Sequence, residues 1–128
     1  LSSFRVFVEL VRICGDDPSP HQAAAIGRIA SHFMTLRRMS LSVAGMLEAG
    51  KDVSVEAALV KELGNNFEKL LPEIARLVVP DLSAVDPDKQ RLFRETFEET
   101  LMLSPSFTLR GGTREIMRGV IARGLGLR

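Results

Sequence analysis

Apolar residues recur at three- and four-residue steps along almost the whole chain, and prolines and glycines cut that rhythm into blocks, so the chain is written for helices. Phe4, Phe7, Val8 and Val11 share one helical face, and the pattern stops at Gly15-Asp16-Asp17-Pro18-Ser19-Pro20. From His21 to Ala49 a second stripe runs through Ile26, Ile29, Ala30, Phe33, Leu36, Met39, Val43, Met46 and Leu47, with Gly50 placed for a left-handed C-cap. That helix spans roughly 40 Å at 1.5 Å per residue. Asp52 or Ser54 caps a third helix carrying Ala57, Ala58, Val60, Lys61, Leu63, Gly64, Phe67, Leu70 and Leu71, and Pro72 is expected to kink or restart it. A short helical piece over 73–79 then ends at Pro80, and 81–85 read as a loop.

Asp86-Pro87 opens a fourth helix, with proline at a position where its missing N–H costs nothing, and Leu92, Phe93, Thr96, Phe97, Thr100 and Leu101 carry it to Ser104-Pro105. Residues 107–112 read as a loop with two adjacent glycines, and Thr113 caps a fifth helix through Ile116, Met117, Val120 and Ile121 to Gly124. No hairpin signal, repeat or low-complexity tract interrupts this, so an all-α fold is expected, an antiparallel four-helix bundle with a short C-terminal helix.

The 128 residues suit one domain. Seventeen Lys and Arg stand against sixteen Asp and Glu, which gives no general reason to expect nucleic acid or an anionic membrane as partner. A lone cysteine, Cys14, and the lack of a leader or long apolar run point to a reducing cytoplasm. The chain opens at Leu1 in what reads as the middle of a helix, so a longer protein is expected.

Few residues carry chemistry. His21 and His32 lie eleven apart with no third ligand at helical spacing, so no metal site is expected. His21 falls at a helix start and His32 on a partly exposed flank, and Cys14 reads as a semi-buried structural thiol. Arg37-Arg38, Arg91, Arg94, Arg110, Arg114, Arg118, Arg123 and Arg128 have the guanidinium forks that suit phosphate. Arg114 and Arg118, four apart with Glu115 between, are expected to form a solvated stripe. In Arg110-Gly111-Gly112-Thr113-Arg114-Glu115-Ile116 the glycines allow close backbone approach and the helix start offers free N–H groups; the segment reads equally as a ligand contact or as a plain turn and cap.

The longer run Thr108-Leu109-Arg110-Gly111-Gly112-Thr113-Arg114-Glu115-Ile116-Met117-Arg118-Gly119-Val120-Ile121-Ala122-Arg123-Gly124-Leu125-Gly126-Leu127 resembles the C-terminal signature of acyl-CoA dehydrogenases. Glu56-Ala57-Ala58-Leu59-Val60-Lys61-Glu62-Leu63 and the helix start His21-Gln22 are similar to other parts of that family's C-terminal domain. The resemblance implies that 1–128 form a C-terminal helical-bundle domain, with N-terminal helical and middle β domains elsewhere. It implies FAD as cofactor, an acyl-CoA thioester as substrate, α,β-dehydrogenation as reaction, and assembly as a homo-oligomer or with a second dehydrogenase-like subunit.

By the same resemblance Gly112, Thr113 and Glu115 match flavin-contacting positions, while Gly111 stands where many members carry the glutamate base. The base is then expected upstream of Leu1, or the chain is a non-catalytic partner in a mixed oligomer. Glu9, the carboxylate visible in the first helix, is expected to be a solvated charge. Arg12-Ile13-Cys14-Gly15-Asp16 and Ile74-Ala75-Arg76-Leu77-Val78 replace stretches that in the family serve the neighbouring subunit's FAD and the turn after helix three.

Overall fold

The computed structural model describes residues 3–127, and these form an all-α protein. Five α-helices follow in order, α1 (Phe4–Cys14), α2 (Pro20–Glu48), α3 (Ser54–Val78), α4 (Pro87–Leu103) and α5 (Arg114–Gly124), with 3-10 turns at Leu82–Ala84 and Ser104–Thr108. Whether the first helix continues before Leu1 lies outside the described residues.

Local chemistry explains most boundaries. The Ser19 hydroxyl accepts from the Gln22 N–H at 3.3 Å while the Gln22 carboxamide oxygen accepts from the Ser19 N–H at 2.9 Å, a reciprocal cap with Pro20 in the first turn. The same Gln22 donates to the Val78 carbonyl at 3.0 Å, which ties the start of α2 to the end of α3 and sets the two antiparallel. At the other end of α2, Gly50 takes φ +72° and the Lys51 N–H closes on the Met46 carbonyl at 3.1 Å, the left-handed stop expected of that glycine. Asp86 caps α4 by accepting from the Asp88 and Lys89 N–H groups.

α3 is the spine and packs on each of the other helices. Around it Val6, Leu10, Ile13, Ala25, Ile29, Leu36, Phe67, Leu71, Ala75, Val78 and Phe93 form one core, each large side chain contributing about 1.5–3 kcal/mol on burial. Phe33 centres an aromatic set, edge-on to Phe67 at 4.9 Å and to Phe4 at 5.1 Å, with Phe7 at 5.4 Å.

Several expectations are corrected. Pro72 does not end the third helix: α3 runs on to Val78, so 73–79 is not a separate piece. Pro72 is buried, its missing N–H deprives only the Glu68 carbonyl, and the core contacts of Leu71, Ala75 and Val78 outweigh that loss. Phe107 is not in an open loop; it is among the largest fully buried side chains and lies in the 3-10 turn after α4. Residues 82–84 also form a 3-10 turn, started by Asp81 accepting from the Ser83 N–H.

The apolar stripes of α2 and α3 are only partly covered. Beyond Leu36, α2 has no buried residue, although Met39, Val43 and Met46 continue the pattern. On α3 the polar and apolar faces are partly exchanged: Glu62, Asn65 and Glu68 are buried, whereas Leu63 (43% exposed), Leu70 (51%) and Leu77 (71%) stand at seven-residue intervals on the outside.

Candidate functional site

α5 buries none of its side chains fully, so polar contacts and partial apolar cover hold it to α3. Arg118 donates through Nε to Glu62 Oε1 at 2.9 Å, Arg114 Nε reaches the same oxygen at 3.4 Å, and the Asn66 amide adds a third donor at 3.2 Å. The Glu62 side chain keeps 9% of its surface, covered by those arginines rather than set deep. Burial raises its carboxyl, but hydrogen bonds from Arg118 and Asn66 and the charge and hydrogen bond of Arg114 outweigh this and hold it below the ordinary range. Arg114 is half-buried and Arg118 stays largely in water, and both share a partner on another helix, 52 and 56 residues away.

The turn before α5 is anchored in the same way. The Arg110 guanidinium lies 4.7 Å from the centre of the Phe107 ring, with a nitrogen 3.9 Å from Glu68 Oε2. Glu68 Oε1 accepts the Ser3 N–H at 3.4 Å, so one carboxylate of α3 touches both the turn and the start of α1. Because Arg110 meets Glu68, Arg114 and Arg118 both meet Glu62, and Gly124 sits against Val55, α5 runs antiparallel to α3.

Gly111 and Gly112 have φ of +68° and +104°, values that L side chains rarely adopt. A Cβ on Gly112 would fall 2.6 Å from Met117 Cε, and one on Gly111 would fall 3.3 Å from Lys61 Cε. The space that glycine leaves is thus filled by this chain's own side chains. Thr113 occupies the N-cap position of α5, yet its side chain makes no cap hydrogen bond, against expectation. The backbone N–H of Glu115, the Thr113 side chain and the nearby Arg114 and Arg118 charges hold the Glu115 carboxyl low. Gly112 and Thr113 are half-buried and Glu115 is exposed, all within one turn.

These three residues form an edge, not a pocket. An open groove of about 490 Å³ lies along α2 and α3 between Phe4, Phe33, Leu36, Arg37, Leu41 and Val60. A flavin ring held mainly by other parts would meet this edge at the Gly112 and Thr113 backbone and the Thr113 hydroxyl.

Elsewhere, Glu9 is corrected from a solvated charge to a buried one, 3% exposed and paired with Arg12 at 2.7 Å. Its position on the inner face of α1, beside Val6, Leu10 and Ile13, decides this. Cys14 is half-buried and burial raises its thiol. His21 is exposed in the first turn of α2, and His32 is exposed and stacked on Phe67 at 5.0 Å. Among the described residues no three His, Cys, Asp or Glu side chains gather as a metal site, and no helix is long and apolar enough to cross a membrane.

Sequence reasoning missed Glu62 and Glu68. A signal existed: Ala58, Glu62, Asn65 and Glu68 step by four, three and three, which puts them on one face that α5, with arginines four apart, can cover.

Fold and site together define an all-helical protein whose last helix is clamped to its central one through a shared carboxylate. No protein-family profile, curated protein or solved structure matches the chain.

Proposed function

We propose that the chain is the C-terminal helical part of an FAD-dependent acyl-CoA dehydrogenase, α1 to α4 forming an antiparallel four-helix bundle and α5 carrying an edge of the flavin site. The observation that supports this most is the left-handed Gly111-Gly112 turn, which sets Thr113 and Glu115 side by side at the start of α5 with the Thr113 hydroxyl not spent on the helix cap. It is the segment on which the sequence resembles the family. The flavin, when bound, supplies the hydride acceptor for α,β-dehydrogenation of the acyl thioester. In this reading the Gly112 and Thr113 backbone and the Thr113 hydroxyl orient the ring edge, and the Glu62 clamp keeps that edge in register. Gly111 carries no base, so the α proton is removed by a carboxylate outside this chain's signature. The reaction belongs in the cytoplasm, and the working unit is an oligomer.

A second reading is favoured by the same Gly111. Its φ of +68° would strain a glutamate there, so the turn suits a non-catalytic subunit that completes a partner dehydrogenase.

The visible absorbance of the intact protein tests both. A flavin band near about 450 nm that bleaches on anaerobic addition of an acyl-CoA supports the first reading. A colourless protein that acquires flavin only on mixing with a second dehydrogenase-like chain supports the second, and no flavin under either condition sinks both. Thr113→Val should lower flavin retention, and unchanged retention removes Thr113 from the site.

A further inference from the structure

We infer that a pocket between α1 and the end of α4 binds a free α-amino acid with a small apolar side chain. The inference does not rest on the flavin reading.

Helical spacing makes the pocket. Thr96, Glu99, Thr100 and Leu103 recur at three- and four-residue steps and so share one face of α4, the helix that packs on α1. With Arg5 of α1 and Phe107 of the following 3-10 turn they line a space of about 150 Å³. That is well below the roughly 300–1,000 Å³ of a drug-sized site and suits an occupant of a few heavy atoms. Thr96 on its wall is 3% exposed, and its hydroxyl makes no hydrogen bond among the described residues. A hydroxyl withdrawn from water without a partner costs stability, and a ligand atom that pairs with it recovers that cost.

The hydrogen-bonding inventory of the wall selects the occupant. Arg5 offers donors alone, in a fork that matches a carboxylate. Glu99 offers acceptors alone, and Thr100, whose hydroxyl proton goes to the Thr96 carbonyl at 2.7 Å, has only lone pairs left. Among the described residues neither Arg5 nor Glu99 makes an ion pair, although both line the same pocket. An anion would suit Arg5 and be repelled by Glu99; a cation would do the reverse; a hydrocarbon would leave Thr96 unpaired. A carboxylate and an ammonium on one carbon satisfy both sides, the first on Arg5 and Thr96, the second on Glu99 and Thr100. Leu103 and the buried Phe107 ring are left for the side chain, which the volume limits to the size of those of alanine to valine.

Isothermal titration of the intact chain with L-valine is the test, and a Kd of about 1 mM or tighter is expected. Isovalerate, which lacks the ammonium, and isobutylamine, which lacks the carboxylate, should each bind at least about tenfold more weakly. Arg5→Gln and Glu99→Gln, both at exposed positions, should each weaken L-valine by about tenfold, and Thr96→Val by about threefold. Glu99→Gln should at the same time tighten isovalerate, because the charge that repels it is gone; a merely structural role for Glu99 would not move that preference. Circular dichroism confirms that the variants fold. Three results overturn the inference: no saturable binding of L-valine or L-alanine up to about 10 mM, isovalerate bound as tightly as L-valine, or an affinity that neither Arg5→Gln nor Glu99→Gln changes.

Discussion

Arg118 donates to Oε1 of Glu62 at 2.9 Å and so joins the last helix to the middle of α3 across 56 residues of sequence. Since α5 has no fully buried side chain, this clamp carries an unusual share of its attachment. Glu62→Gln should cost about 1–2 kcal/mol, because charge-assisted hydrogen bonds become neutral ones and two guanidiniums lose their counter-charge. Arg118→Ala should cost less, about 0.5–1 kcal/mol, its side chain being mostly in water. Urea denaturation of the two variants measures both, and equal stability with wild type would show that α5 is held by its apolar contacts alone.

Acid should act through the same carboxylate. Glu62 has a lower pKa folded than unfolded, so its ionised form favours the folded chain. That contribution is complete above the ordinary value of 4.5 and is lost as the pH falls through the lower folded one. Wild type should lose stability on acidification below about pH 4.5, and Glu62→Gln should lose less over the same window. Parallel urea midpoints for the two proteins down to about pH 3 would contradict this.

Gly124 is fixed by contact, not by backbone angle. A Cβ there would collide with Cγ2 of Val55, a β-branched side chain that is stiff at χ1. Gly124→Ala should destabilise by about 1–3 kcal/mol, and adding Val55→Ala should recover most of it, against the simple sum of two losses. A double-mutant cycle reads the coupling directly.

Thr96 offers the opposite case. It is buried, and its hydroxyl makes no hydrogen bond among the described residues. Thr96→Val keeps the shape and removes the desolvated oxygen, so it should stabilise by about 0.5–1 kcal/mol. A lower melting temperature would show that the hydroxyl has a partner in solution.

Phe107→Ala should be the most damaging of these changes, at about 3–5 kcal/mol, because a fully buried ring is lost together with the support for Arg110. Phe107→Leu should recover more than half, and thermal melts order the three proteins.

The helices were legible in the sequence because their signals are local. Periodicity located all five, the Gly50 stop behaved as written, and the Asp86-Pro87 start is where its chemistry puts it. The Gly-Gly-Thr segment was legible as a turn before a helix, though not as one with left-handed angles whose free space is taken by Met117 and Lys61. Pro72 and Phe107 were misread because each is decided by burial, which a local rule does not contain.

What the sequence determined by itself is where the five helices lie, the Asp86 cap and the left-handed stop at Gly50, since each depends on residues within one or two turns. Only the tertiary structure decided which faces turn inward. Glu62 and Glu68 are buried, and Leu63, Leu70 and Leu77 are not, because α5 and the turn before it bring arginines to the polar side of α3 while no other described helix covers the leucines. Burial is a property of what arrives from elsewhere in the chain, and for a carboxylate the arrival of a guanidinium reverses the rule that composition alone would apply.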